Sequence, residues 1–238
     1  MTGNRRTLVR SLALVLALVL VVLGTVSIIG SLGRDSLTVD EVFRGVRVVD
    51  VEVDVESVEV LARRGSSTQL ERVIAWSLER PTISQHREGD RLVVRSSCPA
   101  QIGRGCSGTV RLLVPPDTEV RASSSAGSVR VVGLAGTVQL DSSAGSVEAT
   151  DLFSANLSAS SSAGSVSLSF AAAPTLVSAT SSAGTVEVLV PRGYETYRVD
   201  AGSSAGSSDV SVRTDPASPR ALRARSSAGS VRIDYRRP

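Results

Sequence analysis

The sequence predicts an all-β chain, a parallel β-solenoid carried on an N-terminal transmembrane helix. Three observations predict it. A serine-rich phrase, Ser-Ser-Ala-Gly-Ser/Thr-Val, returns along the second half, with Ala-Gly pairs at Ala126-Gly127, Ala144-Gly145, Ala163-Gly164, Ala183-Gly184, Ala205-Gly206 and Ala228-Gly229. Around each pair, apolar and polar residues alternate with a period of two, as they do on a strand with one buried face. Near the start, residues 11–33 hold no charged side chain.

Residues 1–10 contain Arg5, Arg6 and Arg10 and no acid, and read as a cytoplasmic tail. The 23 uncharged residues that follow, Ser11 to Gly33, would form a helix of about 34 Å, enough to cross a ~30 Å hydrocarbon core. Flanking arginines orient such a helix with its N-terminus inside. A cleaved signal peptide is the alternative, but its apolar region is shorter and ends at a small-residue site. The expected location is therefore the cell membrane, single-pass, with the bulk of the chain outside the cytoplasm.

Residues 34–117 are expected to form an irregular β region that begins the solenoid. Alternation between Val46 and Val60 sets Val51, Val53 and Val55 against Glu52, Asp54 and Glu56. Three carboxylates in a row could hold calcium, although hard-cation sites usually wrap ligands around the ion from a loop, and a solvated strand face explains the pattern as well. Further strands are predicted at Val73–Leu78, Arg91–Arg95 and Thr109–Val114, with a turn at Glu88-Gly89-Asp90. Cys98 and Cys106 are the only cysteines and flank a short loop. Outside the cytoplasm they are expected to form a disulfide, worth about 2–3 kcal/mol for so short a loop. Two cysteines with no nearby His cannot complete a zinc site.

Residues 118–238 are expected to form six regular turns. The Ala-to-Ala steps are 18, 19, 20, 22 and 23 residues. Six residues before each Ala stand Val120, Val138, Leu157, Val177, Val199 and Leu222; two before it stands Ser every time. Three residues after it stand Val129, Val147, Val166, Val186, Ser208 and Val231. The apolar phase slips by one residue at Gly127, Gly145, Gly164, Gly184, Gly206 and Gly229, as a corner allows if glycine takes positive φ there. At ~3.3 Å per residue each unit is long enough for one circuit of a narrow coil, with successive circuits ~4.8 Å apart. An antiparallel sandwich is the competing architecture. The serines two before each Ala are expected to pass hydroxyl hydrogen bonds along their own column. Ser208 interrupts the apolar column and should mark a weak spot. Val114-Pro115 and Val190-Pro191 should each end a strand.

The net charge of +3 means little for function. Setting aside the three tail arginines leaves 23 basic residues against 23 acidic ones, and aromatic residues are 3% of the chain. Neither the basic stripe nor the stacking surface of a nucleic-acid binder is present. His86, the only histidine, reads as a surface residue beside a turn. The repeated serines have no base and orienting group supplied with them, so they do not form a catalytic set. Two carboxylates about 5–10 Å apart could hydrolyse a glycoside. The outward acids Asp141, Glu148, Glu187, Asp200 and Asp209 are instead scattered, with Ser167 between Glu148 and Glu187. A flat hydroxyl array for ice is spoiled by Asp141, Gly202 and Arg225 in one of its rows. No enzyme activity, cofactor or metal is expected.

The phrases Ser142–Val147, Ser161–Val166 and Ser226–Val231, following an N-terminal anchor and a Val-Pro boundary, resemble the bacterial "putative adhesin" domain-of-unknown-function family over about residues 40–235. The resemblance implies a right-handed parallel β-helix and brings no catalytic residues. The expected function is binding or scaffolding at the cell surface, with a cell-wall or surface polymer or another membrane protein as partner. An accessory or sensor of an envelope-stress or signalling system is the alternative, and a carbohydrate-active enzyme the third possibility. The last predicted strand ends near Tyr235, and the expectation is either weak end-to-end self-association through that uncovered turn or loops from the longer C-terminal turns folding over it.

Overall fold

A computed structural model of the protein describes residues 34–77, 80–98 and 105–237. The predicted tail and membrane span, residues 1–33, lie outside them. No helix occurs among the described residues, which form nineteen strands in two mixed sheets of mostly parallel strands. The first seven strands are β1 (Arg34–Arg44), β2 (Val48–Val53), β3 (Ser57–Ala62), β4 (Ser67–Ser77), β5 (Thr82–Glu88), β6 (Arg91–Ser97) and β7 (Cys106–Val114). Next come β8 (Glu119–Ser124), β9 (Val129–Val132), β10 (Val138–Ser142), β11 (Val147–Leu152), β12 (Asn156–Ser161) and β13 (Val166–Phe170). The last six are β14 (Leu176–Ala183), β15 (Val186–Val190), β16 (Arg198–Ala205), β17 (Ser208–Val210), β18 (Ala221–Ala228) and β19 (Val231–Tyr235).

From β8 onward the chain alternates between the sheets: one strand, a glycine corner, one strand in the other sheet, then a return. Equivalent residues meet in parallel register. Val138 lies beside Val120 and Leu157, and Val147 lies beside Val129 and Val166. The period-two pattern is the reason. In β12, Leu157, Ala159 and Ser161 are buried while Asn156 and Ser158 are exposed; in β13, Val166, Leu168 and Phe170 are buried. Small inward side chains let the two sheets share one continuous core. Val114 and Val190 end β7 and β15 immediately before proline.

The corners are held by a contact between layers rather than by backbone torsion. Positive φ occurs at only two of the six corner glycines, Gly206 and Gly229. At every one of the six, a Cβ would collide with the backbone carbonyl stacked next to it: Glu56 for Gly127, then Gly127 for Gly145, Gly145 for Gly164, and Gly164 for Gly184. The column continues with Gly184 for Gly229 and Gly229 for Gly206. The same carbonyls accept from the repeat serines. Ser142 donates to Gly127 (2.9 Å), Ser161 to Gly145 (2.9 Å), Ser181 to Gly164 (2.8 Å), Ser226 to Gly184 (2.8 Å) and Ser203 to Gly229 (2.6 Å). Contrary to the expectation from the sequence, the hydroxyls therefore do not bond along their own column. Each instead ties its layer to the corner of the neighbouring layer.

The order of stacking departs from the order of the chain at both ends. In space the last two strands are not last: β18 lies between β14 and β16, and β19 between β15 and β17. The expectation of an uncovered C-terminal strand is thus corrected, since β19 is internal and β16 and β17 are the edges. Side-chain chemistry favours the exchange. In chain order, Ser208 would sit in the middle of a valine column, and Asp209 would lie against Glu187. Observed instead, Ser208 is exposed on the edge, and Arg232 separates Glu187 from Asp209. At the other end, β2 and β3 lie inside β6 and β7.

That first half differs most from its sequence pattern. Val46 to Val60 makes two strands with a corner at residues 54–56, so the phase slips there too. Glu56 takes the position of the corner glycines and turns inward, fully buried, against Arg72 of β4 (3.0 Å). Burial pulls the Arg72 guanidinium pKa down, while the charge and hydrogen bond of Glu56 hold it up. Gly108 faces the Glu56 side chain, and a Cβ there would strike the Val73 carbonyl. β1 and β5, not foreseen from the sequence, pair antiparallel with β4 and β6.

Four outcomes are expected. Ser161→Ala strips the Gly145 carbonyl of its donor and should lower stability by about 1–3 kcal/mol in chemical denaturation. Gly145→Ala should cost more, because backbone must move. Arg72→Met leaves Glu56 as a buried unpaired charge and should cost about 3–5 kcal/mol, with much of it restored by Glu56→Gln in the same chain. Deleting residues 221–238 removes an internal layer, so it should abolish cooperative thermal unfolding measured by circular dichroism.

Candidate binding face

Outward residues of the two sheets form two different surfaces. On the ten-stranded sheet, one row across neighbouring strands reads Glu71, Arg111, Glu59, Arg130, Glu148, Ser167, Glu187, Arg232 and Asp209. Signs alternate except at Ser167. Ion pairs join Arg111 to Glu59 (2.7 Å), Arg130 to Glu148 (3.3 Å) and Arg232 to Glu187 (4.0 Å). Opposite charges directly across a ladder stabilise it modestly, and solvent exposure keeps each pair weak. The Glu59 carboxylate holds the Arg111 guanidinium above its usual range. The Arg232–Asp234 hydrogen bond (2.6 Å) raises the pKa of Arg232 and lowers that of Asp234.

This row decides the fate of the scattered acids. Glu148 and Glu187 lie on β11 and β15, separated by Ser167 on β13, and each faces an arginine of its own. Asp141 accepts from Ser160, and Asp209 lies at the sheet edge. On the other sheet Glu52 pairs with Arg95 (3.2 Å), while Asp54 accepts from Ser97 (2.9 Å) and the Cys98 amide (3.0 Å). The possible calcium row does not exist as a row, because Glu56 points to the opposite side of the strand. Among the described residues, no three His, Cys, Asp or Glu side chains gather as a metal site would require. His86 lies on β5 beside Glu88 (2.9 Å). Cys98 and Cys106 form a disulfide with Cα atoms 6.3 Å apart, within ordinary disulfide geometry.

The nine-stranded sheet carries ion pairs over β2, β6 and β8, such as Glu52–Arg95 and Glu119–Arg121, and presents mainly hydroxyls over β12 and β14. Two open grooves cross its outer face over β12, β14, β18 and β16. One, of about 540 Å³, is lined by Ser160, Thr180, Ser182, Ser204, Ser227 and Arg225 among others. Beside it, a groove of about 580 Å³ has a more apolar lining around Leu176 and Ala221, with Asn156, Ser158, Ser178, Arg198 and Arg223 along it. Leu176, the first residue of β14, is 52% exposed. Asp200 is bonded by both Arg223 (3.7 Å) and Arg225, so two arginines are fixed at the groove margin. Asp200 precedes Arg223 and Arg225 by one unit, so β16 and β18 would adjoin in chain order as well; what the exchange adds is β14 on the other side of β18, which sets these arginines beside Ser178 and Thr180.

Neither family models nor curated proteins match the chain. Among solved structures, a "putative cell adhesion protein" from Clostridium sporogenes ATCC 15579 aligns with TM-score 0.50 at 10% identity, covering 84% of this chain and 100% of that one. A "putative adhesin" from Bacteroides fragilis NCTC 9343 gives TM-score 0.46 at 14% identity, covering 84% of this chain and 97% of that one. At 10% identity, the Clostridium likeness bears on the fold: a solved all-β protein shares this arrangement over its whole length.

Proposed function

We propose that the chain is a non-enzymatic surface protein, a right-handed parallel β-helix held in the cell membrane by a signal anchor at residues 11–33. In this reading residues 1–10 are cytoplasmic, residues 34–117 begin the helix and residues 118–238 form its regular part. It acts by binding or scaffolding, and the ligand class is a hydroxyl-rich cell-wall or surface polymer. The observation that carries the reading is the pair of open grooves on the nine-stranded sheet. They combine an apolar floor at Leu176 with hydroxyl, amide and guanidinium groups aligned across four strands. Such a surface offers hydrogen bonds to a polyol without a pocket to enclose it, as suits an extended polymer. The cell-adhesion name of the Clostridium structure agrees with it.

Non-catalytic action is supported by the outward acids, since Glu148 and Glu187 are each set against an arginine and apart from one another. The accessory reading, in which the partner is another membrane protein, makes a different prediction for the same grooves. Full-length chain in detergent, incubated with isolated cell-wall polymer, is expected to bind. Asn156→Ala with Arg223→Ala should weaken that binding roughly tenfold, or about 1.4 kcal/mol, without shifting the thermal midpoint. Absence of polymer binding, with crosslinking to a membrane protein instead, would overturn the polymer reading. Release of reducing ends that disappears in Glu148→Gln would overturn the non-enzymatic one.

A further inference from the structure

The two ends of the strand stack are built differently. At one end, β1 and β5 are the outer strands, and their core-facing side carries Glu41, Gln85 and Arg87, opposite Leu70, Val94 and Leu92. Gln85 donates to Glu41, and Arg87 donates to the Arg44 carbonyl (2.6 Å). Inward-facing charge is one means by which an edge strand turns away another strand. At the opposite end, β16 and β17 carry no charged residue on the core-facing side. Val199 and Ala201 are half-buried and Val210 is 38% exposed.

Only the start of the β16 edge is occupied. Tyr197 donates to the Arg213 carbonyl (3.0 Å) and accepts from the Asp215 amide (2.9 Å). Further along, Arg198 donates to Arg220 on the β18 side (2.8 Å), and alternate residues of a parallel strand bond to alternate sides. The amides and carbonyls of Val199, Ala201 and Ser203 therefore point away from β18. A groove of about 390 Å³ runs there, with Val199, Ala201 and Val210 on one side and residues 214–216 on the other.

We propose that this edge pairs antiparallel with the same edge of a second copy, about a two-fold axis through Ala201. In that register Ala201 opposes Ala201 of the second copy and Val199 opposes its Ser203. All three free residues on each chain are then satisfied, by about six backbone hydrogen bonds. Asp200 falls opposite Gly202, which offers no side chain to repel it. Shifting the register one way sets Asp200 against Asp200 and calls on Tyr197, whose backbone groups are already used. Shifting it the other way sets Val199 against Ala205, at the corner. A like edge is the fitting occupant because the same three residues serve both partners, whereas head-to-tail stacking would have to use the guarded β1/β5 end. β16 also borders the grooves, but the pairing uses the backbone groups of Val199, Ala201 and Ser203 and is read by sedimentation, so its failure and the failure of polymer binding are distinguishable.

Ala201→Pro tests it cleanly, because the amide it removes has no partner within the chain and proline is tolerated at such edge positions. Sedimentation of the full-length chain in detergent should show a dimer for the parent and a monomer for Ala201→Pro, with the circular dichroism spectrum unchanged. The register has its own test. Residues 200 and 202 form a non-hydrogen-bonded pair with Cα atoms ~4.5 Å apart, within disulfide reach. Mixing an Asp200→Cys chain with a Gly202→Cys chain under mild oxidation should give crosslinked dimers, and neither chain alone should. A parent that stays monomeric at high concentration, a dimer that persists in Ala201→Pro, or equal crosslinking of the single chains by themselves would each overturn the proposal.

Discussion

The carbonyl of each corner glycine is the point on which the stack depends. It lies so close to the next corner that only a residue without Cβ can follow it. The repeat serine two positions before the next Ala supplies this carbonyl with a donor from inside the protein, at a contact that is buried at Gly127 and partly buried at Gly145 and Gly164. A buried polar group left without a partner costs more than a hydrogen bond gains, so the two requirements cannot be met separately. Gly without Ser would orphan the carbonyl, and Ser without Gly could not come near enough to reach it. This explains why the phrase keeps both residues in every copy. It also sets the layer spacing at the corners, which fixes the register of the strands on either side.

Once corners define the spacing, side chains decide which layer sits beside which. The corner column would accept the last unit in any place, because all units carry the same Ser and Gly. Charge and apolar content break that degeneracy. Arg232 stands between Glu187 and Asp209, which in chain order would adjoin, and Ser208 is delivered to solvent. Consecutive elements are usually neighbours in space, and departing from that rule requires a long return. Residues 211–220 provide it, and the longer spacing of the final units is the visible consequence. The strap then does a second job by closing the start of the β16 edge through Tyr197, whose buried phenol is pushed up to about 12.

What could be read from the sequence was the content of each layer: the alternating strands, the corners, the proline ends and the cysteine pair. These are local, repeated six times, and set by steric and solvation rules that act within a few residues. The stacking order was not legible. It depends on residues such as Glu187 and Arg232, which are two units apart in sequence and meet only because the last unit enters between the two before it. Glu56 misled for a related reason. As part of an alternating run it reads as the third carboxylate of an exposed face, yet it stands at a corner, where the phase slips and the side chain turns inward to Arg72. No Ala-Gly pair announces that corner. β1 and β5 were missed because edge strands carry charge on the core-facing side, which blurs the period-two signal.

The division of labour between the faces follows from the same constraint. A parallel stack repeats any outward residue type into a row, so a row of one charge would repel itself. The ten-stranded sheet avoids this by alternating sign, and in doing so neutralises its own acids and bases against one another. A surface with its charges satisfied internally has little left to offer a ligand. The nine-stranded sheet does the same over β2, β6 and β8, but over β12 and β14 it uses serine and threonine, whose hydroxyls carry donors and acceptors that neighbouring rows do not exhaust. Leu176 and the arginines fixed by Asp200 then interrupt the hydroxyl field at one place, across β12, β14, β18 and β16. The exchange that buries the last unit is what brings those arginines to that place, so the stacking order and the position of the binding face are one structural decision.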